Sequence, residues 1–314
     1  MSDLITPAGA PVAESPKEAG NRDAAQHLRG ETNRRKSLRD TLFRVAMFLS
    51  ISLALLTLAA LVIDTLVTGR SRLNLDLLTN MPSARPARAG LQSAIWGSLW
   101  VVAYTALISL PLGIGTAVYL EEFAPKNKWY IRLVELNIQN LAGVPSVVFG
   151  ILGLAFIARG PLSWGFTVGT GVMVLVILVL PTVIISSREA IRAVPPSFRD
   201  AALALGATRW QTVWRQVLPS SVPGIATGSI LSVSRAVGES APLLLLGALT
   251  FVTFNPDGLD SGYTVLPLLI FKYTSDAKAE FHVVAAAGIV VLLVMLIALN
   301  LTAILVRNRF QKRY

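Results

Sequence analysis

Residues 168–187 read VGTGVMVLVILVLPTVIISS, a run of twenty residues without a charged side chain. The hydrocarbon core of a bilayer is about 30 Å thick, and a helix needs roughly 20 apolar residues to cross it. The run therefore has the length of a transmembrane helix. It also lacks the polar stripe that a helix on the surface of a water-soluble protein requires.

Similar apolar blocks occur along the rest of the chain, which has 314 residues, 53% of them hydrophobic and only 15% charged. We predict an all-α membrane protein with six transmembrane helices. The predicted spans cover residues 45–67, 92–119, 137–157, 168–187, 220–252 and 282–306. Two shorter apolar stretches, Tyr263 to Phe271 and Pro161 to Thr167, are predicted to be surface or partly re-entrant loops.

The spans divide the chain into segments of different character. Residues 1–40 mix Ala, Pro, Glu, Gly and Asn without periodicity and are predicted to form a disordered cytoplasmic tail. Residues 41–68 hold the first transmembrane helix, and residues 90–306 hold a core with the other five. Residues 307–314 form a basic cytoplasmic C-terminus.

The distribution of basic residues predicts the orientation of the spans. With both termini in the cytoplasm, 20 of the 28 lysine and arginine residues lie on the cytoplasmic side, seven lie outside, and Arg235 lies within the fifth span. This bias satisfies the positive-inside rule. It also accounts for the net charge of +10 without a nucleic-acid partner.

The cytoplasmic loop at residues 188–219 is too long for a simple connection. Its sequence predicts a helix capped by Ser197, a break at Gly206, and a second helix that begins after Thr208 and ends at Pro219. The surface of the first helix mixes small apolar residues with arginines. This pattern favours a docking element for another protein, and an amphipathic helix resting on anionic lipid is the alternative.

Arg235 stands near the middle of the predicted fifth span, where a charge is costly and must be held by a partner. Glu239 follows four residues later, so the two side chains would share a helix face and pair. Small residues continue the same face at Gly224, Gly228 and Ser232. The sequence leaves two interpretations open: Arg235 and Glu239 line an anion path, or they form a structural pair.

The third predicted span carries polar residues, including Asn140 and Ser146, together with Pro145. Proline leaves a backbone carbonyl without its helical hydrogen bond, which is tolerated inside a membrane only within protein or beside water. We therefore predict that Asn140 and Ser146 line the substrate path with Arg235 and Glu239. A kinked packing helix is the alternative.

The residue types present also indicate which metal and catalytic sites the chain can form. The chain contains no cysteine and two histidines, His27 and His282, so no metal site and no catalytic site is predicted. It has no G-x-x-x-x-G-K-[ST] phosphate-binding loop, so it is not expected to hydrolyse ATP itself.

The loop at residues 188–219 resembles the signature of permease subunits of bacterial ABC importers. In that pattern Glu-Ala-Ala precedes a glycine and, further on, Ile-x-Leu-Pro. Here the matching residues are Asp200-Ala201-Ala202, Gly206 and Leu218-Pro219, with Asp200 in place of Glu and Gln216 in place of Ile. The resemblance implies a type I ABC importer permease fold whose cytoplasmic coupling helices sit in a cleft of an ATPase subunit. The residues implied to contact that subunit are Arg199, Asp200, Ala201, Ala202, Leu205 and Gly206.

Two further segments are similar to phosphate permeases of the PstA type: residues 142–150, AGVPSVVFG, and residues 234–242, SRAVGESAP. This resemblance implies a phosphate import system in a bacterial plasma membrane. Its expected partners are a second homologous permease subunit, a dimer of ATPase subunits that binds ATP and Mg²⁺, an extracytoplasmic phosphate-binding protein and membrane lipid.

Alternative functions differ in the substrate or in the energy source. A permease for sulfate or molybdate would use a similar anion path. An ion-coupled secondary transporter would show inverted repeats with half-helices near the midplane, and no such pairing is evident in the sequence. A membrane enzyme would need clustered catalytic side chains at one membrane face, and none is evident either.

Overall fold

The structure is a computed structural model that describes residues 16–125, 127–247 and 251–310, without the side chains of residues 16–38, 306 and 310. The chain divides into two compact units, Met1–Ile63 and Asp64–Tyr314.

The first unit consists largely of one long helix, α1, which spans Pro16–Gly69. Its part from Arg39 onward is long and apolar enough to cross a membrane, and none of the side chains in its most apolar window is buried. The helix begins within the segment predicted to be disordered, so that prediction is wrong from Pro16 to residue 40. The good helix formers Ala, Glu, Gln, Lys and Arg in this segment explain the difference. Residues 1–15 of the predicted tail lie outside the described residues.

The second unit is built from short and long helices. In chain order they are α2 (Leu75–Thr79), α3 (Gln92–Val118), α4 (Trp129–Ala142), α5 (Ser146–Leu152), α6 (Val168–Arg192), α7 (Pro196–Ala204), α8 (Arg209–Thr212), α9 (Leu218–Gly238), α10 (Ala241–Leu245), α11 (Leu266–Thr274) and α12 (Ala279–Phe310). Wider π-helical turns extend α3 through Tyr119–Phe123, extend α5 through Gly153–Ala158 and join α8 to α9 through Val213–Val217.

The third predicted span is broken. The axes of α4 and α5 differ by 104°, so residues 137–157 do not form one straight helix. Gly143 ends α4 and Pro145 precedes α5 with ψ of 133°, an extended conformation. Proline lacks the N–H that would continue α4, which explains the break. Among the described residues, five helices are long and apolar enough to cross a membrane, or six if this bent pair forms one span.

The fifth predicted span begins earlier and ends earlier than the sequence predicts. The candidate span covers Arg209–Leu245, so Pro219 does not end the second loop helix. The π turn before α9 lets the chain continue, and proline is tolerated in the first turn of the helix that follows. At the other end, Glu239 adopts an extended conformation between α9 and α10.

The core of the second unit lies where α3, α6 and α9 pack together. Helix α6 is the most enclosed candidate span, with 67% of its apolar window buried. Close approach depends on small residues, as predicted for Gly224 and Gly228. A Cβ atom on Gly224 would lie 2.7 Å from the Cβ of Ala190, and one on Gly228 would lie 2.5 Å from the Oγ of Ser186. The stretch from Tyr263 to Phe271 is not among the candidate spans, as predicted. It is not a surface loop, however: most of it belongs to the nine-residue α11, whose apolar residues Leu266, Leu268 and Leu269 are buried.

Gly228→Ala is expected to lower stability by about 1–3 kcal/mol, because the added methyl group overlaps Ser186 across the α6–α9 contact. Gly115→Ala on α3 is the matched control, since nothing lies within 4 Å of its added Cβ. Thermal unfolding in detergent measures both variants. Equal melting temperatures for the two would contradict the packing described here.

Candidate functional site

Two interrupted helices meet inside the membrane region. A Cβ atom on Gly150, in α5, would lie 2.7 Å from the Cα of Pro242, in α10. The α4–α5 bend and the α9–α10 break are thus brought together by a backbone contact that only glycine permits. Backbone without helical hydrogen bonds is tolerated at this depth only against protein or water. The meeting point is therefore a candidate pathway wall.

Arg235 and Ser146 lie at this meeting point and line one small cavity together with Thr182 of α6. The cavity measures about 20 Å³, room for about one water molecule. Arg235 stands in the last turn of α9, where the negative end of the helix dipole favours a cation. Its side chain is exposed in the isolated chain, and Ser146 is half-buried. The structure thus brings together two of the four predicted path residues.

Glu239 and Asn140 are placed elsewhere. Because α9 ends at Gly238, Glu239 leaves the helix face of Arg235 and lines a separate small cavity beside Ser98, Leu175 and Val265. The described residues contain no ion pair between Arg235 and Glu239, so the predicted pairing is not formed. Asn140 is exposed near the end of α4 and does not line the cavity of Arg235.

The predicted coupling loop presents an exposed apolar tip. Helix α7 has no buried residue, and Leu205, directly after it, is 90% exposed. Asp200 and Ala201 are exposed and Ala202 is half-buried. The predicted cap is wrong: Pro195 precedes the helix and Pro196 starts it, because proline already has the backbone angle of a first helical residue.

The turn after α7 follows the prediction. Gly206 has φ of +83°, the left-handed conformation that ends many helices. Thr208 then caps α8: its hydroxyl accepts a hydrogen bond from the Gln211 N–H, and the Gln211 side chain accepts one from the Thr208 N–H. This reciprocal arrangement fixes the direction in which α8 leaves the turn.

Arg199, for which contact with an ATPase subunit stays a prediction, forms an ion pair within the chain. Its Nη2 atom lies 2.7 Å from Oε1 of Glu122, at the end of α3. It also donates hydrogen bonds to the carbonyl oxygens of Ile191 and Val194, at the end of α6. Arg199 therefore connects α7 to the adjacent ends of α3 and α6, and its guanidinium forms hydrogen bonds within the chain.

A second group of ion pairs lies beside Arg199 and was not predicted. Oε1 of Glu121 lies 2.6 Å from Nε of Arg188 and 2.8 Å from Nη2 of Arg192. Arg188 reaches Glu135 of α4 through its Nη2 atom, at 2.5 Å. The sequence signal was the pair Glu121-Glu122 directly after an apolar run. The partners could not be found from spacing, because they are 53 to 77 residues apart.

Gly206→Val is expected to cost about 1–2 kcal/mol, since a branched residue resists a positive φ. Gly206→Asn is expected to cost less, because asparagine tolerates this conformation. A Cβ atom added at Gly206 meets nothing within 4 Å, so the comparison tests mainly the strain of a positive φ. Limited proteolysis between α7 and α8 and thermal unfolding measure the effect. Equal tolerance of Val and Asn would contradict this assignment.

Comparisons with known proteins match this arrangement. Residues 109–314 match the family described as "Binding-protein-dependent transport system inner membrane component". The chain is 32% identical over 264 residues to the phosphate transport system permease protein PstA of Yersinia pestis, covering 83% of this chain and 88% of that protein. It is also 32% identical to a probable ABC transporter permease, YqgI, of Bacillus subtilis, covering 76% of this chain and 84% of that protein.

A solved structure shares the fold. A chain of the inward-facing MetNI methionine ABC transporter superposes with a TM-score of 0.58 at 17% identity, covering 73% of this chain and all of that one. The fold is that of type I ABC importer permeases, as predicted. The chain belongs to the family of binding-protein-dependent transport system inner membrane components and is a multi-pass membrane protein.

Proposed function

We propose that this chain is a membrane-spanning subunit of an ATP-driven importer of inorganic phosphate. The proposal is supported by its similarity to PstA proteins, including PstA 1 of Mycobacterium tuberculosis at 35% identity over 69% of this chain and 70% of that protein. In this proposal a second, homologous permease subunit completes the translocation path. An extracytoplasmic phosphate-binding protein delivers the ion.

The observation that carries the proposal is the position of Arg235, where the two interrupted helices meet. A phosphate ion crossing the membrane needs positive charge along its way, and a guanidinium group can bind two of its oxygens at once. The side chain of Arg235 is exposed in the isolated chain, so it is available to a path shared with another subunit. One arginine cannot neutralise a dianion, and we expect the second permease subunit to contribute another. Ser146, beside Arg235, would add a hydroxyl donor.

In this proposal an ATPase subunit docks on α7 and Leu205, and its ATP-driven movement acts on the chain there. Their exposed apolar surface fits a cleft of an ATPase subunit, and a dimer of such subunits would bind ATP and Mg²⁺. This chain would carry no cofactor and catalyse no reaction itself. Both termini would then lie in the cytoplasm, on the same side as α7.

The defining experiment reconstitutes the chain with its permease, ATPase and binding-protein partners in vesicles. Phosphate together with the binding protein should stimulate ATP hydrolysis and drive phosphate uptake. Stimulation by sulfate or molybdate instead would transfer the proposal to that oxyanion. Uptake driven by an ion gradient without ATP would contradict it.

Arg235→Ala should lower phosphate uptake by at least about tenfold, because hydrogen bonds to a charged group contribute about 1.5–3 kcal/mol each. Arg235→Lys should retain part of the activity, since it keeps the charge without the planar fork. Arg132→Ala, which removes an exposed arginine near the start of α4, is the control and should transport normally. Radiolabelled uptake at equal amounts of assembled complex measures all three. Normal uptake by the Arg235→Ala variant would contradict the role of this residue.

Leu205→Asp should weaken the binding of the ATPase subunits at least tenfold, because it places a charge on the apolar tip. Leu75→Asp is the matched control, since Leu75 is also largely exposed, at 77%, but lies on α2. Co-purification of the ATPase subunits reports the binding. Retention of those subunits by the Leu205→Asp variant would contradict docking at this tip.

A further inference from the structure

The ion pairs at the inner ends of the helices form one continuous series. It begins at Arg199 of α7, which pairs with Glu122 at 2.7 Å. Glu121, the preceding residue, pairs with Arg188 of α6 at 2.6 Å, and Arg188 pairs with Glu135 of α4 at 2.5 Å. Glu121 and Glu122 are adjacent within the π turn that extends α3. The series therefore joins α7 to α4 through the ends of α3 and α6.

The central members of this series are withdrawn from solvent. The side chain of Glu121 is 4% exposed, that of Arg188 is 9% exposed and that of Glu122 is 10% exposed. Buried charges depend on their partners, because a charge left without its counter-ion in a low-dielectric site is strongly unfavourable. When one member moves, its partners are thus constrained to move with it.

Helix α7 depends on this series for its attachment to the spans. It has no buried residue that could anchor it by apolar packing. Among the described residues, the side-chain hydrogen bonds of α7 all come from Arg199, which reaches Glu122, Ile191 and Val194. Arg199 therefore supplies the side-chain hydrogen bonds between α7 and the ends of α3 and α6. They act beside the short connection from α6 to α7 and the packing of α7 against α8 and the π turn before α9.

At its other end the series reaches α4, the helix that leads to the candidate pathway wall. Glu135 stands in the middle of α4, five residues before Asn140. Helix α4 ends at Ala142, and the bend that follows leads to Ser146, in the cavity of Arg235. A helix of this length moves as a rigid unit, so a displacement at Glu135 also displaces the bend.

We propose that the series Arg199–Glu122, Glu121–Arg188 and Arg188–Glu135 transmits the movement of α7 to α4. Its members are positioning residues: they touch neither the transported ion nor ATP. The inference rests on the proposed docking of α7 to an ATPase subunit and adds the route by which that movement reaches the path. It assigns Arg199 a role within the chain in place of the predicted contact with the ATPase.

The test uses distances between spin labels in the assembled importer. Because the chain has no cysteine, label sites can be introduced one pair at a time. Ser197→Cys reports on α7 and Arg132→Cys reports on α4, each paired with Thr274→Cys at the end of α11, and these three residues are exposed. Trapping the ATPase subunits with ATP should change both distances when the series is intact.

Glu135→Gln, which removes the charge that joins Arg188 to α4, should preserve the ATP-dependent change at residue 197 and reduce that at residue 132 by at least half. The number of ions imported per ATP hydrolysed should fall about tenfold while ATP hydrolysis continues. Glu189→Gln is the matched control, because Glu189 is exposed, adjoins Arg188 and has no ion pair among the described residues. It should behave as the unsubstituted chain does.

An unchanged response at residue 132 in the Glu135→Gln variant would overturn the proposal. If that variant fails to assemble, Arg188→Gln removes the same ion pair from its other side, and it should likewise preserve the change at residue 197 and reduce the change at residue 132. Failure of both variants to assemble would indicate a purely structural role and would also overturn it. The unsubstituted complex could show the expected label movements and yet import no phosphate. That result would reject phosphate as the substrate, but it would not contradict the transmission route.

Discussion

The cost of an unsatisfied backbone group in lipid governs this structure. Hydrocarbon offers no hydrogen-bond partners, so a chain that crosses it must be helical wherever it faces lipid. The helix is nevertheless interrupted twice, at Gly143–Pro145 and at Glu239–Ser240. Both interruptions are possible because α5 and α10 pack against each other, with Gly150 against Pro242. The two interruptions are thus held next to each other, and Arg235 lies beside them.

The cost of placing a charge in a low-dielectric environment also explains where the charged side chains lie. Acidic and basic side chains from the ends of α3 and α6, from α7 and from the middle of α4 neutralise one another in short ion pairs. Further into the membrane region Arg235 has no such partner among the described residues and stays exposed in the isolated chain. The ion-paired cluster is suited to holding helices together. The unpaired guanidinium of Arg235 is suited to binding an anion. The paired cluster contacts α4 at Glu135, in the middle of the helix, and Arg235 lies beyond the bend that follows α4.

The fold was largely predictable because membrane helices have a strong local signal. Apolar runs placed the helices around residues 92–119, 168–187 and 282–306 correctly, and Gly206 and Thr208 defined the turn after α7. Local rules were less reliable at proline. Pro145 broke a predicted span, Pro219 failed to end a helix, and Pro196 rather than Ser197 started α7. Proline cannot donate a backbone hydrogen bond. Whether the helix continues past it depends on how the neighbouring turns satisfy the carbonyl group left without a donor, and the packed structure decides that.

The sequence by itself determined that the chain crosses the membrane several times, which family it resembles and that one arginine stands inside a span. These properties follow from composition and short motifs, because lipid acts on every residue in the same way. Only the tertiary structure decided that Arg235 shares a cavity with Ser146 and not a helix face with Glu239. It also decided that Arg199 pairs with Glu122, 77 residues away. Contacts between distant residues depend on how helices pack, and no local pattern records that packing.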